Sequence, residues 1–268
     1  MFDRAIAGVF IKQDKAYESI GSGTFVFFDG EVYLVSAAHV FDELKLREKA
    51  PVLHVGATNK FYEFQEARMF VSNTEDVNGD RQKDKLDIGA MLLPDEFIDE
   101  VNHKFLMVTE GLIENKARAE SLQFYQALGY PNTRNDKLAR KAIYKQQSQG
   151  VFLLRYSGDK KLSSEIKEEL FIDDFHVIMD FHPKKGFDDD GNKVSVGNVT
   201  GMSGGLIQGV LDYVSHASGM YPTYAAGILI QKTKKQDAII GTKFSAVFEW
   251  LKLHKKNFSK FEIISKSN

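Results

Sequence analysis

Three polar side chains stand in settings that suit acyl transfer: Ser203 among glycines, His39 after two alanines, and Asp87 at the head of an apolar run. A serine hydroxyl is a weak nucleophile until a base takes its proton. It must also stand beside backbone N–H groups that can bind the oxyanion formed during attack. The segment Val199-Thr200-Gly201-Met202-Ser203-Gly204-Gly205 offers both conditions. Its glycines let the chain turn sharply and approach a substrate closely, and Gly201 and Ser203 are the natural N–H donors. An ordinary glycine-rich turn has the same composition, so this segment alone does not decide.

The segment also fits the Gly-x-Ser-x-Gly elbow of α/β-hydrolases, in which the acid and the histidine follow the serine. Asp212 and Asp237 are the only aspartates, and His216 and His254 the only histidines, downstream of Ser203, and the preceding chain lacks alternating strands and helices. Upstream the pattern is richer. Tyr33-Leu34-Val35-Ser36-Ala37-Ala38-His39-Val40 reads as a strand running into a histidine flanked by small residues. Leu86-Asp87-Ile88-Gly89-Ala90-Met91-Leu92 puts one acid at the start of a buried-type strand. An unpaired buried charge is costly, so that acid needs a partner. Beside His39 it would hold the ring tautomer and stabilise the imidazolium.

Strands must position these residues. Runs at 24–28 and 31–37 flank Asp29-Gly30, a pair that supplies the positive φ of a tight hairpin. Further strand candidates fall at 5–11, 52–55, 61–71 and 87–93. After a mixed linker at 94–116, a second group follows at 126–130, 142–149, 151–156, 176–181, 206–210, 224–231 and 238–244. A helical insertion is expected at 163–171 and a closing helix at 245–256, with Val247, Phe248 and Leu251 on one face. Many short strands in two groups argue for two packed β-barrels, although periodicity alone does not separate these from one long sandwich.

The order His, Asp, Ser and four short motifs resemble the chymotrypsin/trypsin-like serine protease superfamily, and within it the cysteine-free bacterial trypsin-like peptidases. The motifs are Gly21-Ser22-Gly23-Thr24-Phe25, Ser36-Ala37-Ala38-His39, Asp87-Ile88-Gly89 and Gly201-Met202-Ser203-Gly204-Gly205. Gly129-Tyr130-Pro131 and Ala226-Gly227-Ile228 add weaker support. The resemblance implies an all-β fold of two packed six-stranded barrels with a C-terminal helix. Residues 1–116 would carry His39 and Asp87, and residues 117–268 would carry Ser203. It further implies a serine endopeptidase acting on polypeptides without a cofactor. Ser203 would be the nucleophile, His39 the general base and Asp87 the orienting acid. The N–H groups of Gly201 and Ser203 would form the oxyanion hole. The specificity pocket would have Gly197 and Asn198 at its floor and Ile230, Gln231 and Lys232 along one wall. Met202 departs from the family pattern, because zymogen-type members carry an acid there.

The remaining features narrow the field. Lys and Arg total 35 against 37 Asp and Glu, so no charge excess recruits nucleic acid or an anionic membrane. The basic tail at 252–266 reads as a solvated helix end. The absence of cysteine excludes a thiol nucleophile, cysteine-ligated zinc and disulfides. No His-Glu-x-x-His spacing suggests a metal, and Asp76, Asn78 and Asp80 lack the distal glutamate of a calcium loop. Asp188-Asp189-Asp190-Gly191-Asn192 reads as a turn. With no signal-like start and no apolar run of about 20 residues, the chain reads as cytoplasmic and free of the membrane. Two rival functions stay open: a protease fold that only binds peptides, and an effector protease opened by a regulatory protein partner through the extra segments at 157–175 and 183–197.

Overall fold

The computed structural model describes residues 2–14, 16–72, 80–101, 104–132, 135, 154–159, 174–182, 186–187, 193–194, 199–211, 222–233, 237–254 and 262–265. The expected strands at 142–149 and the expected helical insertion at 163–171 lie outside them, as do most of the two extra segments and the acidic turn at 188–192.

The N-terminal region forms β1 (Ile6–Gln13), β2 (Ala16–Phe28), β3 (Glu31–Ala37), β4 (Pro51–Val55), β5 (Lys60–Glu63), β6 (Glu66–Val71) and β7 (Ile88–Leu92). The helix α1 (Ala38–Leu46) leaves β3 directly. Asp29 and Gly30 turn β2 into β3 with φ of 50° and 85°, the pair of left-handed conformations that a two-residue hairpin needs. The expected single strand at 61–71 is two strands. Tyr62 and Phe64 are buried, then Ala67 and Met69, with Gln65 and Glu66 both exposed between them. The inward phase therefore slips by one residue, and the chain bends there.

The linker expected at 94–116 holds two short helices' worth of structure: α2 (Asp95–Val101) lies within it, and α3 (Lys116–Glu120) begins at its end. The second group comprises β8 (Leu122–Gly129), β9 (Leu154–Gly158), β10 (His176–Asp180), the small pair β11 (Gly186–Phe187) and β12 (Lys193–Val194), then β13 (Leu206–Leu211), β14 (Thr223–Lys232) and β15 (Ala238–Lys243). The closing helix is α4 (Phe244–His254), and β16 (Glu262–Ser265) follows it.

Two curled antiparallel sheets result. The first runs β16-β6-β7-β3-β2-β1-β4-β5, and the second runs β10-β15-β14-β13-β8-β9. The double-barrel plan matches the expectation. The second sheet has six strands, but the first has eight rather than six, because 61–71 is split and β16 returns to pair with β6. Bulges at Val9/Phe10, Ile207/Gln208 and Leu229/Gln231 add the local twist that lets the sheets curl.

Each sheet closes over its own apolar interior, around Phe25, Leu34, Phe41 and Leu53 in the first and Tyr125, Met179, Ile207 and Tyr224 in the second. A third cluster joins them, in which Val26, Tyr33, Val35, Leu128 and Ile228 meet Phe244, Phe248 and Leu251 of α4. Trp250 stacks on Phe70 of β6 at 4.3 Å between ring centroids. The last helix thus packs against strands of the first sheet as well as following the second.

Gly89 on β7 shows how tightly α1 sits. A Cβ there would lie 2.2 Å from Phe41 of α1, at a backbone conformation open to any residue. Gly30 is the opposite case, with nothing within 4 Å and a φ of 85°. Gly89→Ala is expected to lose about 1–3 kcal/mol through overpacking, and Gly30→Ala about 1 kcal/mol through backbone strain alone. Urea unfolding of both variants checks this, and a Gly89→Ala variant as stable as the wild type would contradict the packing of α1 on β7.

Candidate active site

Asp87 is held from four directions. It has a φ of 43°, a left-handed conformation uncommon for residues other than glycine. The carbonyl of Leu86 accepts from Thr242 Oγ1 at 2.6 Å, and that of Lys85 from His176 Nε2 at 2.6 Å, so β15 and β10 of the second sheet grip the residues before it. On the other side Ile88 N donates to Ser72 Oγ at 3.2 Å, and Ser72 N donates to the Ile88 carbonyl at 2.7 Å. Arg81 ties this corner to α1, donating to Asp42 at 2.7 Å and to the Ser72 carbonyl at 2.8 Å.

So placed, Asp87 caps α1. Its backbone carbonyl accepts from Ala38 N at 2.9 Å, and its Oδ1 accepts from His39 N at 3.1 Å. A carboxylate at a helix N-terminus satisfies orphan N–H groups and is favoured by the helix dipole. Its second oxygen, Oδ2, lies 2.7 Å from His39 Nδ1. One side chain therefore fixes both where His39 starts and how its ring is turned, with Nδ1 as the donor and Nε2 left for other work. His39 is the second residue of a helix, not the end of a strand as the sequence suggests.

The Asp87 side chain is 13% exposed and the His39 side chain 43%. Partial burial pulls the imidazole down, but the hydrogen bond and charge of Asp87, aided by Asp42, outweigh it and leave His39 above its ordinary value. Burial raises Asp87 above the usual carboxylate range, and the contact with His39 holds that rise back.

The loop 201–205 is docked on β2. Ser22 N donates to the Ser203 carbonyl at 2.8 Å, Ser22 Oγ to the Gly201 carbonyl at 3.0 Å, and Thr24 Oγ1 to the Gly204 carbonyl at 3.2 Å. Gly205 N donates to the Met202 carbonyl at 2.8 Å, and Leu229 N to the Gly205 carbonyl at 2.7 Å. All five carbonyls are thus engaged. Met202 N and Gly204 N donate to the carbonyls of Val199 and Leu229 at 2.9 and 2.7 Å. Among the described residues, no protein acceptor takes the N–H of Gly201 or of Ser203. One of these donors is the nucleophile candidate's own N–H and the other lies two residues before it.

Glycine is required at two of these positions. Gly201 has a φ of 91°, and a Cβ there would overlap Asn132 Oδ1 at 1.8 Å. Gly204 has a φ of 86°, and a Cβ would lie 2.0 Å from both the Ser22 carbonyl oxygen and Ser36 Oγ. Met202 is fully buried, in the apolar cluster with Tyr125, Ala127, Val199 and Ile207.

The two halves meet at β2. A Cβ on Gly21 would lie 2.8 Å from Val40, the neighbour of His39, and 3.3 Å from the Ser203 carbonyl oxygen. The Ser203 hydroxyl itself donates to the Ile230 carbonyl at 3.4 Å, so the described contacts do not include a Ser203–His39 hydrogen bond. Ile230 sits in the bulge of β14, between the residues that pair with β15. Gln231 is half-buried, and the Lys232 ammonium lies 4.5 Å over the Phe181 ring. Gly197 and Asn198 lie outside the described residues. Sequence reasoning gave no role to Ser22, Thr24, Ser36 and Asn132, nor to the Arg81–Asp42–Asp84 network. The hydroxyls beside glycines in Gly21-Ser22-Gly23-Thr24 were the available signal.

No protein-family model matches the chain, and no curated protein sequence matches it. Solved structures do. The structure of the Vibrio cholerae VesB protease is similar with a TM-score of 0.54 and 15% identity, over 94% of this chain and 64% of that one. The serine protease domain of the Sesbania mosaic virus polyprotein aligns over 92% of each chain at 12% identity, with a TM-score of 0.48. The MamO protease domain of Magnetospirillum magneticum aligns over 93% of this chain and 97% of that one at 14% identity, with a TM-score of 0.45. Identity this low speaks to architecture, and the architecture agrees with the sheets described above: the chain has the chymotrypsin-like double β-barrel fold.

Proposed function

We propose that this chain is a serine endopeptidase with Ser203 as nucleophile, His39 as general base and Asp87 as orienting acid. The observation that carries the reading is the loop 201–205, in which every carbonyl is engaged while, among the described residues, the N–H groups of Gly201 and Ser203 have no acceptor. Free N–H donors beside a nucleophile are what a developing oxyanion needs.

In the reacting complex the Ser203 hydroxyl turns from the Ile230 carbonyl to His39 Nε2. Hydrogen bonds of this kind are often loose before substrate binds. Ser203 Oγ attacks the peptide carbonyl while Nε2 takes its proton, and the carbonyl oxygen becomes an oxyanion bound by Gly201 N and Ser203 N. The intermediate collapses as the imidazolium gives that proton to the leaving amine, which yields an acyl-enzyme. Water, losing a proton to Nε2, then releases the acid and restores Ser203. Asp87 accepts from Nδ1 throughout and stabilises the charged ring.

The rival is a peptide-binding protein on the same fold, since fold alone does not carry activity. The hydrogen bond of Ser203 to Ile230 rather than to His39 favours it. A serine-directed fluorophosphonate separates the two: the enzyme is expected to form an adduct at Ser203 that Ser203→Ala abolishes, and a well-folded protein with no adduct would be the binder.

Activity is expected to rise with pH through one ionisation above the ordinary histidine value of about 6.5, because His39 is raised and only its neutral form accepts the serine proton. Asp42 contributes to that rise, so Asp42→Asn should move the rising limb to lower pH. Asp87→Asn should lower turnover by about 10⁴ by favouring the wrong tautomer. A rate that is flat from pH 5 to 8, or a fully active Asp87→Asn, would contradict these roles.

Specificity follows from the wall residues. Lys232 is engaged over Phe181, and no acid stands at 197 or 198 or along 230–232 to pair with a basic side chain. A peptide-library cleavage profile is expected to favour an uncharged residue before the cut. A profile dominated by Arg or Lys would overturn this.

A further inference from the structure

The two free N–H groups belong to peptide planes, and a trans peptide points its N–H and C=O in opposite directions. The Gly201 N–H therefore points where the Thr200 carbonyl does not, and Asn132 N holds that carbonyl at 2.8 Å. The Ser203 N–H is set in the same way by the Met202 carbonyl, which Gly205 N holds at 2.8 Å. Between them lies the Gly201–Met202 plane, whose carbonyl is held by Ser22 Oγ at 3.0 Å.

This middle plane adjoins both donor planes and is held at both ends, because Met202 N also donates to the Val199 carbonyl at 2.9 Å. Glycine populates positive and negative φ about equally. Gly201, at a φ of 91°, could flip either adjoining peptide at little intrinsic cost. Flipping the Thr200–Gly201 plane would put a carbonyl where the oxyanion must bind.

Zymogen-type relatives meet such a demand with an acid at the residue before the nucleophile. Here that residue is Met202, which is buried among apolar side chains and can orient no dipole. Beside bonds within the loop and to β14, the opposite sheet supplies three restraints, on the carbonyls of Gly201, Ser203 and Gly204. Ser22 is fully buried on β2 and makes four hydrogen bonds. Its hydroxyl donates to the Gly201 carbonyl and accepts from Tyr130 N at 2.9 Å. Its N–H donates to the Ser203 carbonyl, and its own carbonyl accepts from Ser36 Oγ at 2.7 Å. It thus grips the loop on both sides of Met202 and ties it to the end of β8. Asn132, two residues beyond Tyr130, fills the space beside the Gly201 Cα and accepts from Ser19 Oγ at 2.9 Å.

We infer that Ser22 is a positioning residue for catalysis: its hydroxyl locks the Gly201–Met202 peptide so that the Gly201 and Ser203 N–H groups stay aimed at the oxyanion, with no inserted N-terminus required. The inference rests on the serine-peptidase reading of the same loop. Ser22 touches no substrate and acts only through the loop.

The test is Ser22→Ala, with Thr24→Val as a near-isosteric second variant that removes only the bond to the Gly204 carbonyl. For Ser22→Ala, kcat is expected to fall about 10–100-fold, short of the 10²–10³ typical of losing a whole oxyanion donor. KM should change little. Affinity for a peptide aldehyde, whose adduct is tetrahedral, should fall with kcat/KM, and affinity for a product peptide should hold. The pH of the rising limb should also hold, because the His39–Asp87 contact is untouched. Thr24→Val should lose kcat several-fold in the same pattern, and it carries the test where melting shows that Ser22→Ala does not fold. Wild-type kcat in the folded variants, or equal losses of aldehyde and product affinity, overturns the positioning role. A wild type that forms no fluorophosphonate adduct removes the peptidase reading, and this inference with it, whereas a wild type that labels beside an unaffected Ser22→Ala removes the inference alone.

Discussion

The carboxylate of Asp87 is the contact on which the N-terminal half of the site depends. It lies at the junction of the two sheets, with its preceding carbonyls gripped from β10 and β15 and its following N–H gripped by Ser72. A left-handed aspartate costs of order 1–3 kcal/mol. That cost is met by restraints from both sheets, so neither sheet alone would hold the residue in place. The geometry then needs little more. Once Asp87 is fixed, α1 must begin at Ala38, and His39 must present its ring to Oδ2.

The C-terminal half of the site follows a different logic. Its loop has no fixed conformation of its own, because two of its residues are glycines in the left-handed region. Two hydroxyls and one N–H group of β2 hold three of its carbonyls, beside bonds within the loop and to β14. The first sheet therefore contributes a base, an acid and a mould, and the second contributes a nucleophile that takes its form against that mould. Buried hydroxyls suit this use, since each can donate and accept at once, and a buried polar atom is tolerated only when bonded.

Much of this was legible in the sequence, and the limits have physical reasons. The hairpin at Asp29-Gly30 could be read because only a few residue pairs tolerate two successive positive φ values. Asp87 and His39 could be paired because a lone acid before a buried strand demands a partner. The departure at Met202 could be read because a thioether can pair with no charge. The helix after Ala37 was hidden, because its N-cap comes from Asp87, which is 48 residues away along the chain, and no local capping residue marks it. The role of Ser22 was hidden likewise: a serine in a strand carries no sign of the loop, 179 residues further on, to which its hydroxyl donates. The bend at Gln65 and Glu66 was legible in principle as a break in alternation, but the aromatic run around it masked the slip.

The return of β16 to β6 bears on how the protein is made. During synthesis the β6 edge is complete once Val71 has emerged, but the strand that covers it is not translated until residues 262–265. At ordinary elongation rates of about 5–20 residues per second, that edge waits about 10–40 s beyond the ribosome with a row of unpaired amides. An open strand edge is a template for any neighbouring chain. The last residues of the chain that pair thus cap one of its earliest strands, and that edge has no strand beside it until they are made.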